Sequence, residues 1–250
     1  MDLEGGVAVI TGASRGIGKA AALALAAAGA DVVCAARSVE GSPSRLPGTV
    51  EETARAVEAL GKRALAVACD VARDEDIEAL ARQTLERFGR VDVLVNNAAV
   101  NYRATIAETE ARRWDVMMNV NLRGAFLCAK AFLPAMMQRR AGCIINVSSG
   151  AVTDAEVSAA LGIVPYAVSK AGVEQLTQGL AAELRPYGIA ANCLRIEAAV
   201  STEGARAVDP DGDYTNWETP EAVAEAIVWL ARQDATYTGR VVTLAETRLT

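Results

Sequence analysis

Histidine is absent from all 250 residues. That excludes hydrolysis by a Ser-His-Asp triad and removes the ligand most zinc sites use, so no metal site is expected. Positive charge is scarce: 25 Lys and Arg stand against 31 Asp and Glu, a net charge of −6 with no basic run. Nucleic acid and anionic membrane surfaces are therefore poor partners, and any phosphate site must be built locally from a few arginines and backbone amides. The five cysteines (Cys34, Cys69, Cys128, Cys143, Cys193) form no CxxC pair, and each sits in or beside an apolar run. They read as buried free thiols in a reducing compartment. No apolar run is long enough to cross a bilayer. The opening MDLEGGVAVITG has neither signal- nor transit-peptide character, and Arg248-Leu249-Thr250 is no peroxisomal address. The expected location is cytoplasmic.

What is abundant is apolar side chain, 52% of residues, enough for one substantial core. It falls in a repeating order. Short Val- and Ile-rich runs at Val7–Thr11, Asp31–Ala36, Ala64–Cys69, Val91–Asn96, Cys143–Ser148, Ile189–Ile196 and Arg240–Leu244 alternate with helical patterns. The helices are predicted at Ile17–Ala28, Val50–Leu60, Asp74–Phe88, Ala111–Arg139, Tyr166–Arg185 and Pro220–Ala231. Strands apolar on both faces with helices between them imply a parallel, doubly wound α/β sheet of about seven strands, covered on both sides, in one domain spanning 1–250. Gly29 and Gly61 are placed to end helices, and Thr219-Pro220-Glu221 to start one. Ser38–Gly48 and Glu197–Trp217 carry the Gly, Pro and polar content of loops.

Two motifs carry chemistry. The first strand runs directly into Thr11-Gly12-Ala13-Ser14-Arg15-Gly16-Ile17-Gly18. Gly12 suits a tight turn, Gly16 lets the backbone approach a pyrophosphate, and Gly18 allows close helix–strand packing. The helix N-terminus, reached through Ser14 and Ile17, offers free N–H groups to phosphates. The second motif is Tyr166-Ala167-Val168-Ser169-Lys170. Residues i and i+4 share a helix face, so phenol and ammonium can enter one cleft, where a cation favours the phenolate and makes the tyrosine a usable acid–base group. Alone, such a pair is as common on an amphipathic surface helix; its place after the fifth strand gives it weight.

Together TGxxxGxG and YxxxK resemble the single-domain branch of the short-chain dehydrogenase/reductase family, along essentially the whole chain. That resemblance implies a Rossmann fold and interconversion of an alcohol with a ketone or aldehyde by hydride transfer. It implies a catalytic set of Ser149, Tyr166, Lys170 and Asn121: Ser149 polarises the substrate oxygen, Tyr166 moves the proton, Lys170 binds the nicotinamide ribose, and Asn121 supports a proton relay. It further implies contacts to adenine from Asp70-Val71, a largely structural role for Asn97-Ala98, and a nicotinamide contact from Ser201 or Thr202. Relatives that prefer NAD end the second strand with an acid; here Ala36 stands there, followed by Arg37, with Arg15 in the glycine loop. Read singly these arginines are surface residues, but together they favour NADP(H).

The chain departs from the family after the sixth strand, where Ile196-Glu197 replaces Pro-Gly. The apolar stretch between Ser149 and Tyr166 is expected to wall the substrate pocket. The long helices are expected to build a homodimer or homotetramer. The Pro/Gly-rich insertion Ser42–Gly48 loosely resembles a hydroxysteroid-dehydrogenase-like branch. Extended epimerases and enoyl reductases fit the motif spacing worse, and a methyltransferase of similar fold leaves the catalytic quartet unexplained. The reading outside enzymology is an NADP-binding scaffold or sensor, supported by Ile196-Glu197 and opposed by the intact quartet.

Overall fold

A computed structural model describes residues 1–42 and 46–248. The middle of the expected Ser38–Gly48 loop and the last two residues of the C-terminal tripeptide lie outside them. The strands are β1 (Val7–Thr11), β2 (Asp31–Ala36), β3 (Ala64–Ala68), β4 (Val93–Asn96), β5 (Gly142–Ser149), β6 (Ile189–Ile196) and β7 (Val241–Thr243). They form a seven-stranded sheet of order β3-β2-β1-β4-β5-β6-β7, and each pairing is parallel. The order reverses between β1 and β4, which opens a crevice at the carboxyl ends of those strands.

Helices α1 (Gly16–Ala27), α2 (Val50–Glu58) and α9 (Pro220–Ala231) cover one face. There Leu25, Val57 and Ile227 pack on Ala8, Ile10, Val32 and Cys34. Helices α3 (Asp74–Phe88), α5 (Gly124–Arg139) and α7 (Val164–Leu184) cover the other, where Leu80, Phe132 and Leu184 pack on Val7, Val9 and Val33. Alternate residues of β1 and β2 thus enter opposite layers, as a sheet buried on both sides requires. The five cysteines are free and buried. Burial pushes the thiols of Cys34, Cys69, Cys143 and Cys193 up to about 12 and raises Cys128 as well, so none is a ready nucleophile.

Several expected boundaries shift. The predicted helix Ala111–Arg139 is α4 (Ala111–Met117), a wide π-turn over Met118–Arg123, and α5. Helix α7 begins at Val164 because Pro165 is tolerated in a first turn, so Tyr166 lies just inside the helix rather than at its start. The stretch between Ser149 and Tyr166 folds as a 3₁₀ turn (Gly150–Val152) and α6 (Ala155–Ala160). The predicted loop Glu197–Trp217 contains α8 (Glu203–Val208), and the expected last strand ends at Thr243, where α10 (Leu244–Arg248) starts. Thr219 caps α9, its hydroxyl accepting from the Ala222 N–H at 3.1 Å.

Asp92 binds the N-terminal edge of the sheet together. Its carboxylate accepts from the Val7 N–H at 2.9 Å, from both Arg90 donors at 2.7 Å, and from Arg139 at 2.8 Å. Burial alone would raise its pKa, but these donors outweigh burial and hold it below the ordinary value.

Candidate active site

β1 delivers the chain into the glycine loop at the crevice. Gly12 and Gly16 have φ of +70° and +53°, a region that disfavours side chains. At Gly18 a Cβ would lie 2.2 Å from the Gly12 carbonyl oxygen and 2.7 Å from Asn97 Nδ2, so the start of α1 touches the loop beneath it. Asn97 holds that loop: its Nδ2 donates to the Thr11 carbonyl at 2.9 Å. The Asn97 and Ala98 N–H groups both donate to Thr11 Oγ1 at 3.1 Å. The structural role expected of Asn97-Ala98 is thus a clamp between the ends of β1 and β4, and its partner Thr11 had no signal beyond opening the motif.

A cleft of about 390 Å³ lies over this loop. Gly12, Ser14, Arg15, Gly16, Ile17, Gly18, Arg37, Asp70, Val71, Asn97, Ala98 and Thr202 all border it, with Ala36 at its floor. Residues from five separate segments of sequence converge here. Ser201 does not: it borders a neighbouring groove beside Lys19 and Arg206, and its N–H donates to the Glu218 carbonyl. Of the two residues left open by sequence, Thr202 is the one at the cleft. The two arginines also differ. Arg15 donates to the Pro47 carbonyl at 2.8 Å, the Gly48 carbonyl at 2.9 Å and Ser38 Oγ at 2.9 Å, so it fastens the 38–48 loop. Arg37 is exposed at the rim. Asp70 folds back on its own chain, its Oδ1 accepting from the Ala72 N–H at 3.0 Å.

β5 and α7 bring the second group together. Ser149 ends β5, its Oγ accepts from the Ala151 N–H at 3.2 Å, and its hydroxyl stands close enough to the Tyr166 phenol to lower that group's pKa. Lys170, one turn on, places Nζ 5.6 Å from the Tyr166 ring centre and donates to the Val147 carbonyl at 2.7 Å. Burial brings Lys170 down to about 8. Burial also raises Tyr166 above its ordinary value, and the nearby Ser149 hydroxyl offsets this only in part. Lys170 is itself desolvated and turned to a backbone carbonyl.

Asn121 sits in the π-turn, a common device where a helix must present a group irregularly. Its Oδ1 accepts from the Val100 N–H at 2.8 Å, and its Nδ2 donates to the Val100 carbonyl and to Ser169 Oγ, both at 3.0 Å. Ser169 in turn donates to the Tyr166 carbonyl at 2.7 Å. Asn121 thus joins the loop after β4 to the first turn of α7.

Two readings of the flanks change. Ala151, Val152 and Ala155 border an apolar groove with Val164, Ala167, Val168 and Ala171. Neither Ser149 nor Tyr166 borders this groove, so Ala151, Val152, Ala155 and Val164 of the expected substrate wall line it rather than the glycine cleft. At the departure from Pro-Gly, Ile196 pairs with Ser149 in the sheet. The next residue, Glu197, is exposed, and its Cα would stand 2.9 Å from a Cβ on Gly150. Glu197 belongs to the mouth beside Ser149.

A family model, short chain dehydrogenase, matches residues 6–212. The chain is 32% identical over 248 residues to hydroxysteroid dehydrogenase-like protein 2 of Bos taurus, covering 96% of this chain and 56% of that protein. It therefore spans about half the length of these relatives. It is 36% identical to the short chain dehydrogenase/reductase astE of Aspergillus oryzae, covering 94% of this chain and 91% of the other. A crystal structure of a short chain dehydrogenase from Mycobacterium thermoresistibile superposes with a TM-score of 0.89 at 31% identity, covering 99% of this chain and 87% of that one.

Proposed function

The chain belongs to the short-chain dehydrogenase family, oxidoreductases that act on CH–OH groups with a nicotinamide cofactor, and from that premise we propose an NADP(H)-dependent enzyme that interconverts a small alcohol and its ketone or aldehyde. The observation that carries the reading is the buried Lys170 beside the Tyr166 ring, with Ser149 at the end of the neighbouring strand β5, at the carboxyl end of a sheet whose switch point holds the glycine cleft. The cleft fits a dinucleotide: its glycines leave no room for a Cβ where the backbone must come close, and its polar lining suits phosphates and ribose. Ala36 in place of an acid, with Arg37 exposed at the rim, supports NADP(H) over NAD(H), since an exposed guanidinium can take a 2′-phosphate that a carboxylate would repel. Arg15 supports it indirectly, by fixing the loop that borders the same rim.

When bound, the nicotinamide supplies or accepts the hydride at the substrate carbon. Ser149 donates a hydrogen bond to the substrate oxygen. Tyr166 gives that oxygen its proton in reduction and takes it back in oxidation; a protonated phenol suits the reductive direction. Lys170, released from the Val147 carbonyl, holds the nicotinamide ribose and lowers the cost of the phenolate. Asn121 keeps the first turn of α7 in register through Ser169 and so supports the proton path. Thr202 would hold the nicotinamide amide, and Asp70-Val71 would border the adenine.

NADPH consumption with a panel of ketones and aldehydes tests this reading. Turnover of at least one is expected; tight binding with no turnover across the panel favours the scaffold reading. Trp114, Val116, Phe126 and Val168 on α4, α5 and α7 are large apolar side chains left exposed, which supports a homodimer or homotetramer through those helices. Light scattering is expected to return a multiple of 26.1 kDa; a monomer contradicts that part.

A further inference from the structure

The segment between β6 and α9 reaches back to the glycine loop. Thr202 caps α8, its Oγ1 accepting from the Ala205 N–H at 3.2 Å, and this sets Glu203 in the first turn. Glu203 Oε2 accepts from the Gly16 N–H at 2.9 Å. That N–H stands at the head of α1, where the dinucleotide's pyrophosphate belongs on the reading above. The neighbouring residues close down with it. The Thr202 side chain lies 3.2 Å from where a Gly16 Cβ would be, and Leu46 lies 3.9 Å from the corresponding position on Gly204. α8 therefore runs from the glycine loop toward the 38–48 loop that Arg15 fastens, along the rim of the cleft.

The segment is internally tied. The Tyr214 hydroxyl is within hydrogen-bond distance of the Ala205 and Asp209 carbonyls. The Arg206 guanidinium lies 4.6 Å from the Tyr214 ring centre, and Tyr214 meets the Trp217 ring edge-on at 4.7 Å. Its base is the paired backbone at Ser201–Glu218 and Glu218–Ala199. Its first residues, beginning at Glu197, border Ser149.

A carboxylate and a pyrophosphate cannot both take one N–H; they are like charges competing for the same positive helix end. We propose that Glu203 is an internal anion that occupies the pyrophosphate position at Gly16, and that the cofactor's pyrophosphate displaces this carboxylate and shifts residues 203–217 about Thr202, which stays at the cleft. This rests on the dinucleotide reading. It makes the cofactor, through Glu203, the ligand that sets the position of α8.

The test uses Glu203→Gln in the full chain, with Trp114→Phe and Trp229→Phe leaving Trp217 as the reporter. Gln keeps the size and loses the charge, so the fold is retained. If the Glu203-bound state holds about nine molecules in ten, removing it tightens apparent NADPH binding about tenfold. Inorganic pyrophosphate should shift Trp217 emission in the Glu203 protein, and at lower concentration in the Gln variant, whose neutral amide oxygen holds the Gly16 N–H more weakly. NADPH binding by the Glu203 protein with equal or weaker binding by the Gln variant overturns this proposal and leaves the cofactor reading standing. Binding of no dinucleotide by either overturns the cofactor reading, and the proposal with it.

Discussion

Tyr166→Phe is expected to lower kcat for carbonyl reduction by about 10²–10⁴-fold, the range of a lost general acid, while NADPH affinity stays nearly constant. The phenol is the group in this site that can deliver a proton at neutral pH. Burial raises its pKa, with the nearby Ser149 hydroxyl offsetting this in part. Phe keeps the ring on which Lys170 lies at 5.6 Å, so packing survives and only the proton is lost. Steady-state kinetics beside a cofactor titration separate the two effects. A variant that retains more than about a tenth of wild-type kcat would show that another group or water delivers the proton, since even the weakest acid–base contribution exceeds that.

Asp92→Ala is expected to cost about 2–4 kcal/mol of stability at neutral pH. Removing one partner of a buried ion pair commonly costs about 3–5 kcal/mol because the other charge is left behind. Here Arg90 and Arg139 are 43% and 30% exposed and can partly re-solvate, which reduces the figure. The Val7 N–H at the sheet edge also loses its acceptor. In a chain of this size the loss corresponds to a fall in Tm of roughly 4–16 °C. The effect depends on pH. The Asp92 pKa is lowered on folding, so its contribution is fully present above the unfolded value of about 3.9. It is lost as pH falls through the lower folded value, and the gap between the two proteins should close in acid. Thermal denaturation at neutral pH and below the carboxylate range checks both parts. An equal gap at both pH values would assign the loss to packing rather than to charge.

The sheet was legible because both of its faces are covered: β1, β2, β5 and β6 are rich in apolar residues and buried along almost their whole length, and the caps and glycines between helices obey local chemistry. The cleft was legible because its lining follows from strand ends in a fixed order. The π-turn at Met118–Arg123 was not, because one extra residue per turn leaves the apolar pattern of Ala111–Arg139 continuous to the eye. α8 was hidden by the Gly, Pro and Asp residues around it, although Thr202-Glu203 repeats the cap-plus-acid pattern of Thr219 and Glu221. The bonds from Arg15 to Pro47 and Gly48 run to backbone carbonyls more than thirty residues away, and side-chain identity carries no signal for such a partner. The raised pKa of Tyr166 and the lowered pKa of Lys170 follow from burial, a tertiary property that the spacing of the motif does not contain.

The central claim is a dinucleotide cleft that prefers NADP(H) through Arg37. It is tested most directly by titrating the protein with NADPH and with NADH, following the quenching of tryptophan fluorescence, in the wild type and in Arg37→Ala. The account predicts clearly tighter binding of NADPH, weakened roughly 10–100-fold by Arg37→Ala as a charge-assisted phosphate contact of about 1.5–3 kcal/mol is lost, with NADH little changed. Tighter binding of NADH by the wild type, or equal losses for both cofactors in the variant, would contradict it.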